Sequence, residues 1–135
     1  MTIRTYLDSG VLIVATRGKS DLATAALDVL ADTQRTFLSS IFVKLEILPK
    51  AYYFKQQTEA EFYATYFTSV VEYQAVLPPE LGEETLTLAA RYGLAALDAL
   101  HVAIAMYMQA DELITTEGLD KPIHRVPLRV VKLGK

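Results

Sequence analysis

The sequence predicts an α/β fold, a three-layer α/β/α sandwich built around a mostly parallel central sheet. Short apolar runs typical of strands alternate with single helical segments or helix pairs, which is the pattern of a parallel sheet covered on both faces. The length suits one domain with a sizeable core, and no repeat, low-complexity tract or linker divides residues 1–135. A content of 52% hydrophobic and 21% charged residues is typical of a globular chain.

The first strand is predicted over residues 3–7, whose side chains suit a buried position. Asp8 follows this strand directly, at a point where the chain must turn. Residues 11–15 have the apolar character of a helix start. Ser20 is placed to cap a second helix, which continues to about residue 31.

A second strand and two more helices are predicted in the middle of the chain. Residues 36–39 form the short strand, and Ser40 is predicted to cap the helix that contains Glu46. Pro49 is predicted to kink or end that helix, because proline lacks the amide hydrogen of a regular helical bond. Residues 58–61, Thr-Glu-Ala-Glu, have the spacing of a capping box and predict the start of the next helix.

The chain then passes through a proline-rich connection. Residues 73–77 are extended at most, and Pro79 is predicted to lie in the first turn of another helix. Gly93 is placed to end this helix, since glycine readily takes the left-handed conformation of a helix C-terminus.

The last third of the chain predicts one more helix and two strands. Asp98 opens a strongly apolar helical segment, and residues 113–116 form a strand that stops at Glu117. Residues 128–133 alternate between apolar and polar side chains, and predict a final strand at an edge of the sheet.

Composition excludes several classes of protein. The absence of cysteine excludes disulfides and cysteine-based zinc sites and fits a reducing cytosol, so a cytoplasmic protein is expected. We expect neither a signal peptide nor a contact with the membrane, because no basic segment precedes a long apolar run and no uncharged run is long enough to span a bilayer. The formal net charge of −3 gives no overall basic field, so any contact with nucleic acid must use a local patch.

Four acidic residues stand where the predicted elements could bring them together: Asp8, Glu46, Asp98 and Glu117. Asp8 and Glu117 each follow a strand, and ligands of open α/β sheets bind beyond the carboxyl ends of the strands. Glu46 and Asp98 lie in apolar segments, where acids are rarely buried unless they are paired or bind a metal. Each residue also has an ordinary structural interpretation, as a helix cap, a surface acid or a turn residue.

Convergence of these acids would favour a hard cation. Two carboxylates about 4 Å apart repel by roughly 4 kcal/mol at an effective dielectric of about 20. Such a cluster takes up protons or binds Mg²⁺ or Mn²⁺. A metal held by carboxylates and water suits attack on phosphodiesters, because it activates a water and neutralises charge on the scissile phosphate.

The motifs that carry these acids, taken in order, resemble the PIN domain family, the nuclease fold of VapC-type toxins in bacterial toxin–antitoxin pairs. They span residues 6–117 and read Tyr6-Leu7-Asp8-Ser9, Leu45-Glu46-Ile47-Leu48, Ala90-Arg91-Tyr92-Gly93-Leu94, Leu97-Asp98-Ala99-Leu100-His101 and Leu113-Ile114-Thr115-Thr116-Glu117. The resemblance implies a PIN-like fold and an endoribonuclease that uses Mg²⁺ or Mn²⁺. It implies that Asp8, Glu46, Asp98 and Glu117 are both catalytic residues and metal ligands. It also implies an RNA substrate and a small antitoxin protein as partner.

Glu117 departs from the family pattern, which usually has an aspartate at this position, although a subgroup with glutamate resembles this chain. The departure leaves an alternative open, in which a catalytically inactive PIN-like domain binds RNA or a partner protein. Asp120 is interpreted as a solvated loop acid rather than a further ligand, and His101 as a packed histidine rather than a substrate contact. A phosphatase of the haloacid dehalogenase type is disfavoured, because Gly10 stands where that class has a second aspartate.

Aromatic residues are dense in one short part of the chain, at Tyr52, Tyr53, Phe54, Phe62, Tyr63, Tyr66 and Phe67. Such residues could stack on bases. Their recurrence at helical spacing instead favours a core and a self-association face. We therefore expect a homodimer formed partly by the helices over residues 52–70.

Overall fold

Five strands form a single sheet, and all neighbouring strands are parallel, in a computed structural model that describes residues 1–134. In chain order the strands are β1 (Ile3–Leu7), β2 (Arg35–Ser40), β3 (Glu72–Gln74), β4 (Glu112–Thr115) and β5 (Val130–Lys132). Their order across the sheet is β3-β2-β1-β4-β5. The predicted parallel sheet is confirmed, and β5 lies at an edge as expected.

Helices occupy the connections between the strands, because a parallel strand pair needs a long crossover. They are α1 (Ser9–Thr16), α2 (Asp21–Leu30), α3 (Ile41–Tyr53), α4 (Gln57–Thr65), α5 (Leu81–Tyr92) and α6 (Ala96–Tyr107). A turn of π-helix, Tyr66–Val70, continues from α4, and a 3₁₀ turn, Pro122–Arg125, precedes β5. The helices flank the sheet, so the predicted α/β/α architecture is confirmed.

Among residues 1–134, no single helix has both the length and the apolar character needed to cross a membrane. Only α5 and α6 taken together reach that length and composition, and the chain bends by 120° between them. Half of the side chains of α6 are buried inside the protein, namely those of Ala99, His101, Val102, Ala103, Ile104 and Ala105.

The middle of the sheet is deeply buried and positions the first of the predicted site residues. β1 lies between β2 and β4, and Tyr6 pairs with Leu38 on one side and with Leu113 on the other. A parallel strand in this position is covered on both faces, which is why its side chains are predominantly apolar. The backbone amide of Asp8 donates to the carbonyl oxygen of Ile114 at 2.9 Å. Strand pairing therefore continues past the end of β1 and carries Asp8 to the carboxyl end of β4.

Two predicted helix boundaries depend on one residue each, and both are confirmed. The Oγ of Ser20 accepts a hydrogen bond from the backbone amide of Ala23 at 3.1 Å, which caps α2. Gly93 ends α5 with a φ of 71°, and its amide donates to the carbonyl of Ala89 at 3.0 Å.

The predicted capping box over residues 58–61 is wrong. α4 begins at Gln57, and no side chain caps its start. The first turn is set by the backbone as it leaves α3, because the amide of Gln56 donates to the carbonyl of Ala51 at 2.9 Å. Lys55 takes a left-handed φ of 56° to make this reversal. Backbone hydrogen bonds therefore fix where α4 begins, and no side-chain cap is needed.

Pro49 does not end α3, and Pro79 and Ser40 lie differently from the prediction. α3 continues through Pro49 to its end, because buried side chains on both sides of the proline hold the helix against the core. α5 begins two residues after Pro79, which therefore precedes the helix. Ser40 stands immediately before α3 but makes no capping bond, because its hydroxyl lies 2.8 Å from that of Tyr6.

A buried ion-pair cluster lies toward the amino ends of β1, β2 and β4. Glu112 is buried and pairs with Arg35, while the hydroxyl of Thr5 donates to Oε2 of Glu112 at 2.9 Å. The Nε of Arg35 also contacts Oδ2 of Asp32 at 3.0 Å. Arg129 approaches the other oxygen of Glu112 at 4.0 Å. Glu112 therefore resides among apolar strands because a cation and a hydroxyl satisfy its charge.

Gly10 in α1 packs so closely against the end of β4 that a side chain would not fit. A Cβ at this position would lie 2.4 Å from the Oγ1 of Thr116. We expect Gly10→Ala to lower the free energy of unfolding by about 1–3 kcal/mol, the usual cost of overpacking. Gly82, also the second residue of a helix, has open space on the side where a Cβ would be added. Gly82→Ala is therefore expected to be neutral or stabilising by up to about 1 kcal/mol. Denaturant unfolding measures both variants, and equal losses would contradict this interpretation.

Candidate metal centre

Asp8 lies where β1 ends and α1 begins, and its carboxylate is held from two sides. Oδ1 accepts a hydrogen bond from the backbone amide of Ser9 at 2.8 Å. Oδ2 accepts one from the Oγ1 of Thr115, at the end of β4, at 3.0 Å. Asp8 therefore caps α1, which was one of its two expected roles. Each carboxylate oxygen retains acceptor capacity, so the cap leaves Asp8 able to bind a cation.

Glu46, in the second turn of α3, reaches the same place. Its Oε2 accepts a hydrogen bond from the Oγ of Ser9 at 3.4 Å, and its Oε1 lies 2.6 Å from the Nε2 of His101. His101 is buried in α6, and its other ring nitrogen lies 2.9 Å from the hydroxyl of Tyr6. His101 is thus a packed histidine, as predicted, and it also contacts one of the predicted site acids.

Asp98 lies in the first turn of α6 and does not cap this helix. The residue that precedes the helix is Ala95, and no side-chain capping bond is made there. Burial raises the pKa of Asp98, and the negative charges of Asp8 and Glu46 raise it further, while His101 acts in the opposite direction. Asp98 therefore shares one electrostatic environment with two other predicted site residues.

Glu117 follows β4, and its backbone amide donates at 3.2 Å to the same Thr115 hydroxyl that binds Asp8. Burial raises the pKa of Glu117, and the charges of Asp98 and Asp8 raise it further. The basic side chains of Lys121 and His124 act in the opposite direction and lower this pKa. The four predicted acids are thus gathered at the carboxyl edge of the sheet. We call Asp8, Glu46, Asp98 and Glu117 the acid cluster.

The donor atoms suit a divalent metal ion held by oxygen. Among the described residues, potential ligand atoms of Asp8, Glu46 and His101 all lie within 4.8 Å of one another, and Asp98 and Glu117 lie outside this close group. Both ring nitrogens of His101 are already engaged, by Glu46 and by Tyr6, so the donors that remain are carboxylate oxygens. Carboxylates favour hard cations such as Mg²⁺ and Mn²⁺. The residues present therefore fit the kind of metal that the sequence predicts.

Hydroxyl groups that border the acid cluster were not predicted to take part in the site. Tyr6 was predicted only as a buried strand residue, Ser40 only as a helix cap, and Thr115 only as part of a strand. All three are fully buried. The sequence did indicate that these hydroxyl groups have partners, because a polar side chain within a buried strand needs a hydrogen bond. Which partner it finds depends on strand register and helix placement.

The loop after Glu117 is fastened by a histidine. Nε2 of His124, in the 3₁₀ turn, donates to the carbonyl oxygen of Glu117 at 3.0 Å. Asp120 is exposed on the same loop, which favours its interpretation as a solvated acid. The side chain of Glu117 therefore extends from a backbone segment that is held at both ends, by Thr115 and by His124.

In the metal-free protein, Asp98→Asn is expected to raise the midpoint of thermal unfolding by roughly a few degrees near neutral pH. The pKa of Asp98 is raised in the folded protein. Its ionisation therefore costs stability as the pH rises through the folded-state pKa, and this cost is absent below the unfolded-state pKa of about 3.9. The advantage of the variant should accordingly shrink as the pH is lowered.

Thermal scans at several pH values in the presence of a chelator measure this effect. Added Mn²⁺ should reverse the order of the two proteins, because a ligand that binds only the folded state stabilises the parent more than a variant lacking one ligand. An advantage for Asp98→Asn that stays constant down to about pH 4 would contradict the electrostatic origin of the effect.

Comparison with protein families and solved structures agrees with the fold. A family model described as PIN domain matches residues 5–127. The structure of VapBC2 from Rickettsia felis bound to a DNA fragment from their promoter is similar, with a TM-score of 0.72 at 18% identity. That alignment covers 98% of this chain and 100% of the other. A search of curated protein sequences gave no match.

Two further solved structures are similar over most of their length. A toxin–antitoxin complex from Klebsiella pneumoniae aligns with a TM-score of 0.71 at 21% identity, over 95% of this chain and 96% of that one. VapC20 from Mycobacterium tuberculosis, described as a sarcin-ricin loop cleaving toxin, aligns with a TM-score of 0.65 at 14% identity. Its alignment covers 81% of this chain and 86% of the other. At these identities the similarity shows a shared fold.

Proposed function

The chain belongs to the PIN domain family, and from this membership and the acid cluster we propose that it is a metal-dependent endoribonuclease that hydrolyses RNA phosphodiester bonds. We further propose that it is the toxin of a toxin–antitoxin pair and acts in the cytoplasm. The observation that carries the proposal is the gathering of four acids at one edge of the sheet, where burial, and then the charges of neighbouring acids, raise the pKa values of Asp98 and Glu117.

The proposed cofactor is Mg²⁺ or Mn²⁺, which, when bound, supplies an activated water and neutralises charge on the scissile phosphate. Asp8 and Asp98 are proposed as its main ligands, because each lies at the beginning of a helix that packs against the sheet. Glu46 and Glu117 are proposed to orient the water that attacks the phosphorus. All four residues are therefore assigned both to the catalytic site and to the metal site.

The relatives support an RNA substrate and a protein partner. VapC20 is named for cleavage of the sarcin-ricin loop, and the structure from Klebsiella pneumoniae is a toxin–antitoxin complex. We propose by analogy that this chain cleaves RNA and pairs with a small antitoxin protein. With a net charge of −3, the chain has no general attraction for a polyanion. A cation bound in the acid cluster would reduce the repulsion between these carboxylates and a phosphate.

We also propose a homodimer formed partly by the region around α3 and α4. Six of the seven aromatic residues of this region divide into two groups, and the seventh, Phe62, is partly buried. Tyr63, Tyr66 and Phe67 are buried in the core, whereas Tyr52, Tyr53 and Phe54 are exposed where α3 ends. Three neighbouring exposed aromatic side chains supply a self-association face. Light scattering at micromolar concentration should report a dimer, and a monomer would contradict the proposal.

Calorimetric titration of the metal-free protein with Mn²⁺, beside RNA cleavage with and without a chelator, tests the enzymatic proposal. We expect saturable metal binding, and cleavage that the chelator abolishes and added Mn²⁺ restores. If the protein binds RNA but neither binds a divalent ion nor cleaves, the alternative of a catalytically inactive PIN-like binding domain takes its place.

A further inference from the structure

A chain of three buried side chains ends on one oxygen of Glu46. The hydroxyl of Ser40 lies 2.8 Å from the Oη of Tyr6, and that Oη lies 2.9 Å from the Nδ1 of His101. The opposite ring nitrogen of His101 lies 2.6 Å from Oε1 of Glu46. Ser40 and Tyr6 have no exposed surface, and His101 is 2% exposed. These contacts connect β1, β2 and α6 to a side chain of α3.

The direction of the hydrogen bonds follows from the chemistry of each group. A carboxylate accepts and cannot donate, so the short contact to Glu46 requires a proton on Nε2 of His101. In a neutral imidazole Nδ1 is then an acceptor, which the hydroxyl of Tyr6 serves as donor. The oxygen of Tyr6 can in turn accept from Ser40. Every polar atom of the chain is thereby satisfied without water, as buried polar groups require.

We propose that Ser40, Tyr6 and His101 form a positioning relay that fixes Oε1 of Glu46 and leaves Oε2 as the oxygen presented to the acid cluster. This inference rests on the proposed function, because it assigns Glu46 to the reaction. The geometry supports it, since Oε2 is the oxygen that contacts Ser9, the residue adjacent to Asp8. A free glutamate side chain populates several rotamers. A side chain that is already held in the reactive rotamer loses less conformational entropy when the reaction occurs.

Packing alone does not require this arrangement. A phenylalanine at position 6 would fill nearly the same volume in β1, and an apolar residue could replace His101 in an otherwise apolar stretch of α6. Polar groups at these buried positions are tolerated only as a complete network. Among the described residues, this network of hydrogen bonds ends at Oε1 of Glu46, which is partly exposed. The network therefore acts on the position of the Glu46 side chain.

The test compares Tyr6→Phe with Tyr63→Phe. Tyr63 is equally buried, and its hydroxyl makes one hydrogen bond, 3.1 Å to the Oγ1 of Thr16, away from the relay. Tyr6→Phe breaks two buried hydrogen bonds and Tyr63→Phe breaks one, so a purely structural role predicts a larger loss of stability in Tyr6→Phe but unchanged metal binding in both variants. The relay predicts that Tyr6→Phe alone weakens Mn²⁺ binding by about 10–100-fold, as for other residues that orient metal ligands. It also predicts a lower kcat at saturating Mn²⁺ with little change in the KM for RNA.

A second measurement does not depend on any variant. Nitrogen-15 spectra of the imidazole of His101, recorded without metal, should show the proton on Nε2. A ring whose only proton is on Nδ1 would overturn the relay. So would equal metal affinity and kcat in Tyr6→Phe and Tyr63→Phe while the parent binds Mn²⁺ and cleaves RNA. If the parent does neither, the proposed function fails, and the assignment of Glu46 to the reaction fails with it.

Discussion

Asp8→Asn is expected to abolish RNA cleavage and to weaken Mn²⁺ binding by more than about 100-fold, beyond the loss typical of residues that only orient a metal ligand. The substitution removes one charge from the acid cluster and changes the shape of the side chain little. The fold should survive, because asparagine is a favoured N-cap and its amide oxygen can still accept from the amide of Ser9. Circular dichroism, calorimetry and cleavage assays on one preparation measure the three outcomes.

Asp111→Asn is the matched control for this prediction. The Oδ2 of Asp111 accepts a hydrogen bond from the backbone amide of Arg4 at 2.8 Å, just before β4 and therefore at the opposite end of the sheet. The control makes the same chemical change away from the acid cluster and should cleave RNA like the parent. If Asp8→Asn cleaves as fast as the parent, with contaminating nuclease excluded, the catalytic assignment of Asp8 is wrong.

Glu112→Ala is expected to lower the free energy of unfolding by about 2–4 kcal/mol, somewhat less than the usual loss when a buried ion pair is broken from one side. The variant leaves the guanidinium of Arg35 beside buried strands and removes the acceptor for the hydroxyl of Thr5. The contact between Arg35 and Asp32 remains, which is why the loss stays below that of an isolated pair. Urea unfolding followed by circular dichroism measures the change.

Two comparisons identify the origin of that loss. Glu72→Ala removes an exposed ion pair with Arg4, whose atoms are 2.9 Å apart, and should cost less than about 1 kcal/mol. The double variant Glu112→Leu with Arg35→Met replaces the buried pair by apolar groups and should recover most of the stability. A loss in Glu112→Ala no greater than that in Glu72→Ala would contradict the role of the buried charge.

The fold could be predicted because its signals are local. Four of the five strands were predicted from short runs of strand-forming residues, and the boundaries at Ser20 and Gly93 depend on cap chemistry within a few residues. The exception is β3, Glu72–Gln74, which has little apolar character and lies where only an extended segment over residues 73–77 was predicted. Predictions from local sequence were wrong where contacts with other parts of the chain set a helix boundary. Capping-box residues over 58–61 were not needed, because a backbone bond from Gln56 back to α3 starts α4. Pro49 did not end α3, because core packing holds the helix on both sides.

The candidate site could be predicted only in part, for the same physical reason. The acids are visible in the sequence because charge is unusual after a strand or within an apolar helix. Contacts that hold them are between residues far apart in the chain, such as the one between Thr115 and Asp8. The hydrogen bonds of Tyr6 could not be predicted, because a tyrosine in a buried strand resembles any other core aromatic until its hydroxyl partner is known.

The order of the strands determines when the site can exist during synthesis. β1 precedes β4 by more than a hundred residues, yet the two are neighbours in the sheet, and the residues joined by the bond between Asp8 and Thr115 are 107 positions apart. Contacts of such long sequence separation form late, because the chain between them must be made and closed first. A nascent polypeptide that has not reached Glu117 cannot assemble the acid cluster. On the proposed function, translation must therefore pass Glu117 before catalysis can begin, and a product interrupted before that residue lacks one of the four proposed catalytic acids.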